Sequence, residues 1–266
     1  MESASLSICN LDDARFLKFD EPTIRHIAYM RLGRKSLLTL VLDQAFYEHL
    51  ARFRTHLSFR SRQNEGVRRA YCAMTLREFE GVNARQRWAN WRTIPRNLSG
   101  QVPRARLNAL DLCCGVGHST EVLGCYLAPG SRILGLEYNS DFVSLARARV
   151  YRTMLGQRAD VSFRAQSVLE TFRDENGHVL APESIDLVNS SGAVAYHFDK
   201  TTTEKLATEV ARVVIPGGVA MIDSGRSGTD RQTLLQIFDR LGFSPVHETK
   251  SCFADSALQI CFKKRL

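Results

Sequence analysis

The chain has 266 residues, 44% of them hydrophobic and 24% charged, with a formal net charge of +8. That is enough for one large domain, or one domain with a cap, of ordinary globular composition. No apolar run nears the ~18 residues of a membrane span, and the first residues lack the basic and apolar stretches of a secretory signal. The seven cysteines (9, 72, 113, 114, 125, 252, 261) show neither metal-ligand spacing nor a C-x-x-C. They predict reduced thiols in a cytoplasmic protein with no metal site. The charge is uneven: residues 1–105 hold 18 Lys+Arg against 10 Asp+Glu, and the remainder balances. A basic segment of this kind suits an acidic substrate or a nucleic acid, or is simply a solvated helical surface.

In chain order, residues 1–100 read as helices. Ile24, Ile27, Ala28 and Leu32 keep helical spacing, as do Leu37, Leu38, Val41, Leu42, Ala45 and Phe46, with Gly33 between the two runs. A third pattern spans about Glu65 to Phe79. Asn83 is placed to cap a short fourth helix carrying Trp88 and Trp91, which Pro95 would stop. Residues 97–103, with Gly100 and Pro103, read as a linker. The expected division is a helical cap or lid over 1–104 and a ligand-binding domain over 105–266.

From Leu107 onward, short apolar strands alternate with helical patterns. Strands are expected at 107–112, 132–136, 161–165, 185–188 and 219–222, and near 245–249 and 257–262. Helices are expected after Gly117, from Asp141 to Leu155, from a Thr201-x-x-Glu204 capping box, and from Thr229-x-x-Gln232. The alternation predicts an α/β fold with a doubly wound, mostly parallel sheet. Its most informative stretch is Leu110-Asp111-Leu112-Cys113-Cys114-Gly115-Val116-Gly117. A buried strand there ends in a glycine turn that lets a ligand approach the backbone, and a helix N-terminus with free N–H groups follows. Gly115 and Gly117 supply two of the three glycines of a dinucleotide fingerprint, and Thr120 stands where the third should be. Glu137, at the end of the second strand, suits a ribose in either kind of nucleotide fold.

The stretch 110–117 resembles the first motif of class I S-adenosylmethionine-dependent methyltransferases, and Leu134-Gly135-Leu136-Glu137 resembles their second. The Pro216-Gly217-Gly218 turn before a strand is also common there. The resemblance covers about residues 105–266 and implies a seven-stranded Rossmann-like fold that binds S-adenosylmethionine. It implies cofactor contacts from Asp111, Cys113, Gly115, Gly117, Glu137 and Tyr138, and from Ser167 and Val168 near the adenine. Cys113 stands where the family usually has Gly, and Ser167 where it often has Asp. Asn189 or Ser190 is expected at the methionine end.

The resemblance also places the acceptor beyond the fourth strand, where Tyr196 and His197 are the expected catalytic contacts. His197 is a candidate base because its ordinary pKa is near 6.5. Trp88, Trp91 and Arg92 (or Arg96) are expected to wall a small acceptor, aromatic or acidic. His118 is expected at the solvent or at the cofactor's edge. The loop after Asn189 lacks Asn-Pro-Pro-Tyr, which argues against the usual adenine- and glutamine-methylating classes. The expected protein is a small-molecule methyltransferase, monomeric or a homodimer. The competing readings are an RNA methyltransferase or nucleic-acid-binding protein using the basic helices, a cofactor-binding protein without catalysis, and an aminopropyl transferase.

Overall fold

The computed structural model describes residues 15–33, 36–56, 64–251 and 257–266; Cys9 and Cys252 lie outside them. The described chain begins with α1 (Glu21–Leu32), α2 (Leu37–Thr55), α3 (Asn64–Cys72), α4 (Leu76–Val82) and α5 (Ala84–Leu98). Asp20 and Ser36 cap the first two, and Gly33 ends α1 at φ +70°. The single helix expected over 65–79 is in fact two, because Thr75 starts a new one. Its hydroxyl accepts from the Glu78 N–H while the Glu78 carboxylate accepts from the Thr75 N–H, a reciprocal pairing that fixes a helix start. Arg54 of α2 grips the same carboxylate and holds the Glu78 carboxyl down to about 2.

The expected stop at Pro95 does not occur: α5 runs through it to Leu98. A proline inside a helix costs roughly 3 kcal/mol. Trp91, Ile94 and Leu98 are fully buried on this helix, and each large apolar side chain buried returns about 1.5–3 kcal/mol. The expected linker is packed as well. Val102 is buried, the Leu17 N–H donates to the Val102 carbonyl, and the Gly100 N–H donates to the Leu17 carbonyl.

The expected alternation then follows: β1 (Asn108–Leu112), α6 (His118–Tyr126), β2 (Arg132–Glu137), α7 (Ser140–Ala148), β3 (Asp160–Ala165), β4 (Ile185–Ser190), α8 (Val194–His197), α9 (Lys200–Val213), β5 (Val214–Ser224), α10 (Arg231–Arg240), β6 (Phe243–Thr249) and β7 (Leu258–Lys264). Helix α7 stops well short of Leu155. Helices α9 and α10 are capped by Asp199 and Asp230 rather than by Thr201 and Thr229, since a carboxylate also answers the positive end of the helix dipole.

The sheet order is β3-β2-β1-β4-β5-β7-β6. Strands β1 to β5 are parallel to one another, and β7 runs antiparallel between β5 and β6. The period-two alternation of β1 sends its side chains into two different cores. Leu110 and Leu112 join Leu206, Val210, Leu234 and Phe238 on one face. Ala109 joins Trp91, Ile94, Leu98, Val122 and Leu123 on the other, so this second core crosses the expected boundary at 104. Because β1 lies between β2 and β4, the chain leaves it in opposite directions and opens a crevice at the strands' carboxyl ends.

Candidate active site

The turn after β1 is held in the left-handed region at Cys113 (φ +54°), Gly115 (+55°) and Gly117 (+84°). A Cβ on Gly115 would lie 2.6 Å from the Phe79 ring, and one on Gly117 would lie 2.1 Å from the Tyr151 hydroxyl. Glu137, at the end of β2, ties the turn down. One carboxylate oxygen accepts from the Gly115 N–H and the other from the Asn139 N–H, each at 2.9 Å. Burial pushes the Glu137 carboxyl up, against the pull of these backbone donors.

A cavity open to solvent lies over this turn. Cys113, Gly115, Glu137 and Tyr138 line it from the sheet, and Ser167 and Val168 from the loop after β3. Gly192 and His197 line it from beyond β4, and Tyr71, Phe79 and Asn83 from the helices above. Seven of the residues anticipated from sequence therefore meet in one place: Cys113, Gly115, Glu137, Tyr138, Ser167, Val168 and His197.

Others do not. Asp111 shares a strand face with Ala109, so its carboxylate turns under α6 rather than into the cavity. It is fully buried and accepts from the hydroxyls of Ser119 and Thr120 and from the Asn189 amide. Burial raises its pKa while these three donors oppose the rise. The Asp111 carboxylate, expected to pull on a cofactor amino group directly or through water, does not itself line the cavity. Asn189 is drawn to the same place. Its amide oxygen accepts from Gln259, whose own oxygen accepts from Asn97, so a buried polar chain links β1, β4, β7 and α5. Gly117 is likewise off the cavity wall and serves as the cap residue of α6.

The expected acceptor wall also dissolves. Trp91 is fully buried in the second core, 6.2 Å from the Tyr126 ring. Arg92 stacks on Trp88 at 3.6 Å, and Trp88 lines a separate cavity together with His118. Arg96 is engaged with Glu21 at 2.5 Å. His118 is buried, not solvent-facing, and lies 3.8 Å from Glu80; burial lowers its pKa.

Sequence reasoning missed Tyr71 and Asn83, which line the cavity, and Asp223, which anchors a loop beside it. Tyr71 reads as one apolar position of a helix, and its partner His197 is 126 residues away. The Tyr71 hydroxyl lies 3.2 Å from His197 Nε2, with the two rings crossing edge to face at 5.4 Å. Burial alone carries the His197 imidazole down to about 4. Asp223, at the end of β5, accepts from the Ala195 N–H and the Ser190 hydroxyl, and so anchors the loop that leads to His197. Burial pushes its carboxyl up to about 6.

A second cavity adjoins the first and shares Tyr71, Asn83, Gly192 and His197 with it. Its remaining wall is mostly polar, from Gln44, Glu48, Arg85, Gln86, Tyr196 and Ser227. Tyr196 therefore belongs to this chamber, where its hydroxyl accepts from Arg85.

A family model described as a methyltransferase domain matches residues 109–218, the segment that holds the turn, Glu137 and the loop after β4. This segment is a methyltransferase domain. No curated protein matches the chain. Among solved structures, an S-adenosylmethionine-dependent methyltransferase from Mesorhizobium loti superposes with a TM-score of 0.51 at 18% identity, over 66% of this chain and 98% of that one. A chain from the complex of the Haloferax volcanii Trm112 methyltransferase activator with a protein assigned as a methyltransferase gives 0.54 at 16% identity, over 70% and 93%. Both likenesses are of fold.

The first cavity of the methyltransferase domain fits S-adenosylmethionine. The cofactor has no phosphates, and Gly115 lines the cavity with the Phe79 ring packed where a Cβ would stand. An ionised carboxylate has about four lone-pair sites, and the backbone donors leave Glu137 with acceptor capacity for ribose hydroxyls. Val168 and Phe142 supply apolar flanks for a purine.

Proposed function

We propose that this methyltransferase acts on a small polar molecule that binds in the second cavity. The observation that carries the reading is the shared wall: Tyr71, Asn83, Gly192 and His197 line both chambers. A cofactor in one and an acceptor in the other would meet across that wall. Bound S-adenosylmethionine supplies an activated methyl group. The protein's own work is to position the acceptor and exclude water. Gln44, Gln86 and Asn83 offer amides to a polar acceptor, and Arg85 and Glu48 offer charges of opposite sign. This replaces the aromatic wall expected from Trp88 and Trp91.

The helices over 1–104 act as the lid. Gln86 donates to Ser191 and Arg85 to Tyr196, so α5 is fastened to the loop after β4. Three arginines of this region pair with its own acids, Arg54 with Glu78 and Arg25 and Arg96 with Glu21. Among the described residues, no helix is long and apolar enough to cross a membrane. The described cysteines are all free thiols, in keeping with a cytoplasmic setting.

The test uses S-adenosylmethionine labelled in its methyl group, offered with fractionated cell extract. Label should enter the low-molecular-weight fraction. Label appearing in RNA, with a rate falling steeply with salt, would replace this reading with the RNA one.

A further inference from the structure

We propose that the reacting atom of the acceptor carries a proton it must lose, as a hydroxyl or N–H does, and that the Tyr71–His197 pair takes that proton. This rests on the methyltransferase reading above and adds the substrate class and a second reacting residue. Tyr71 and His197 belong to the wall common to both cavities, so they stand where an acceptor would meet the methyl donor. Their hydrogen bond joins α3 of the helical lid to α8 beyond the sheet. Among the described residues the other imidazole nitrogen, Nδ1, is buried without a hydrogen-bond partner, and Tyr71 holds Nε2.

The resting protonation states of the pair are those the transfer starts from. Desolvation keeps the imidazole neutral, with a lone pair available. Desolvation and the nearby charges of Glu48 and Glu137 keep the Tyr71 hydroxyl protonated, with Tyr196 and Cys113 adding smaller effects in the same direction. Tyr71 is therefore able to pass its own proton on as it receives another. In that step the acceptor's X–H bond breaks and its electron pair forms the new bond to the methyl carbon, whose bond to the sulfonium sulfur would break with its pair left on sulfur as a neutral thioether. The proton bonds to the Tyr71 oxygen, the former Tyr71 O–H bond breaks, and that proton bonds to His197 Nε2. Methyl transfer removes one positive charge from the first cavity, and the imidazolium restores one in its wall. An acceptor that reacts through a bare lone pair, such as a thioether or a tertiary amine, would have no use for this arrangement.

The test follows the ring nitrogens of His197 by 15N NMR in protein with labelled histidine, alone and with S-adenosylmethionine or S-adenosylhomocysteine. The two ligands differ by the sulfonium charge. His197 should hold its proton more tightly with the neutral thioether, by roughly one pH unit. Equal pKa values in the two complexes would overturn the proposal. Tyr71→Phe should shift the Nε2 signal in the free protein, and an unmoved signal also overturns it. If neither ligand binds, the methyltransferase reading fails instead, and the Tyr71→Phe spectrum still decides whether the pair exists. The labelled-methyl screen adds a further arm: an acceptor identified there as a thioether or tertiary amine refutes the assigned class.

Discussion

The two walls of the first cavity were built in different ways. The sheet-side wall is local. Cys113, Gly115, Glu137 and Tyr138 sit at the ends of adjacent parallel strands, and the Gly115–Glu137 hydrogen bond closes a gap of only 22 residues. The helix-side wall is long-range. Tyr71 meets His197 across 126 residues, and Gln86 meets Ser191 across 105. The first wall follows from backbone geometry, because only a tight turn with left-handed residues brings a strand end to a helix start. The second follows from how amphipathic helices happen to pack, and helical spacing alone does not say which face looks at the site.

The contrast breaks most visibly at the tryptophans. Trp91→Ala removes a fully buried ring and should lower unfolding free energy by about 3–5 kcal/mol, measured by urea denaturation. Trp88→Ala, half-exposed under Arg92, should cost far less. Similar losses for both would mean that α5 does not present the faces described.

On the sheet side, Glu137→Ala should weaken S-adenosylmethionine binding at least tenfold, about 1.5 kcal/mol, through lost charge-assisted hydrogen bonds. Calorimetry showing unchanged affinity would take Glu137 out of the cofactor site.

A subtler comparison concerns pH. His197 titrates near 4 in the fold against 6.5 when free. The unfolded chain therefore takes up that proton first, and stability falls as pH drops from 6.5 toward 4. Asp223 runs the other way. Raised from 3.8 to about 6, it favours the fold below 3.8 and loses that contribution as pH rises through 6. Between pH 4 and 6 the two oppose each other. His197→Gln should flatten the acid-side loss of stability and Asp223→Asn should steepen it, each on the order of 1 kcal/mol per pH unit. Denaturation midpoints at several pH values check this, and identical slopes in the two variants contradict it.

The smallest expected effect is at Cys113, a non-glycine residue at φ +54°. A left-handed L-residue costs roughly 1–2 kcal/mol, and glycine gives back part of any relief through its own chain entropy. Cys113→Gly should therefore raise stability by less than about 1 kcal/mol. A clear loss would show that the side chain's packing in the cavity wall outweighs the strain.

The comparison also sorts what was legible. The strand–helix alternation fixes the parallel sheet, and the Asp111-to-Gly117 stretch with Glu137 marks the cofactor end, because these signals lie within a few residues of the structures they specify. Asp111 and Asn189, expected at the cofactor, do not line the first cavity. Strand alternation turns both beneath α6 and α5, where Ser119, Thr120 and Gln259 are waiting. Pro95 predicts a helix end and the Glu65–Phe79 spacing predicts one helix, yet core burial in one case and a capping box in the other prevailed.

Read alone, then, the sequence determined the fold class, the glycine turn and its acidic partner Glu137. These depend on φ preferences, strand period and residues close in the chain. Only the tertiary structure decided that Trp91 is core, that His197 answers to Tyr71, and that a polar second chamber adjoins the first. Those facts depend on which surfaces of distant helices come together, and the energy that brings them together is non-directional burial of apolar area.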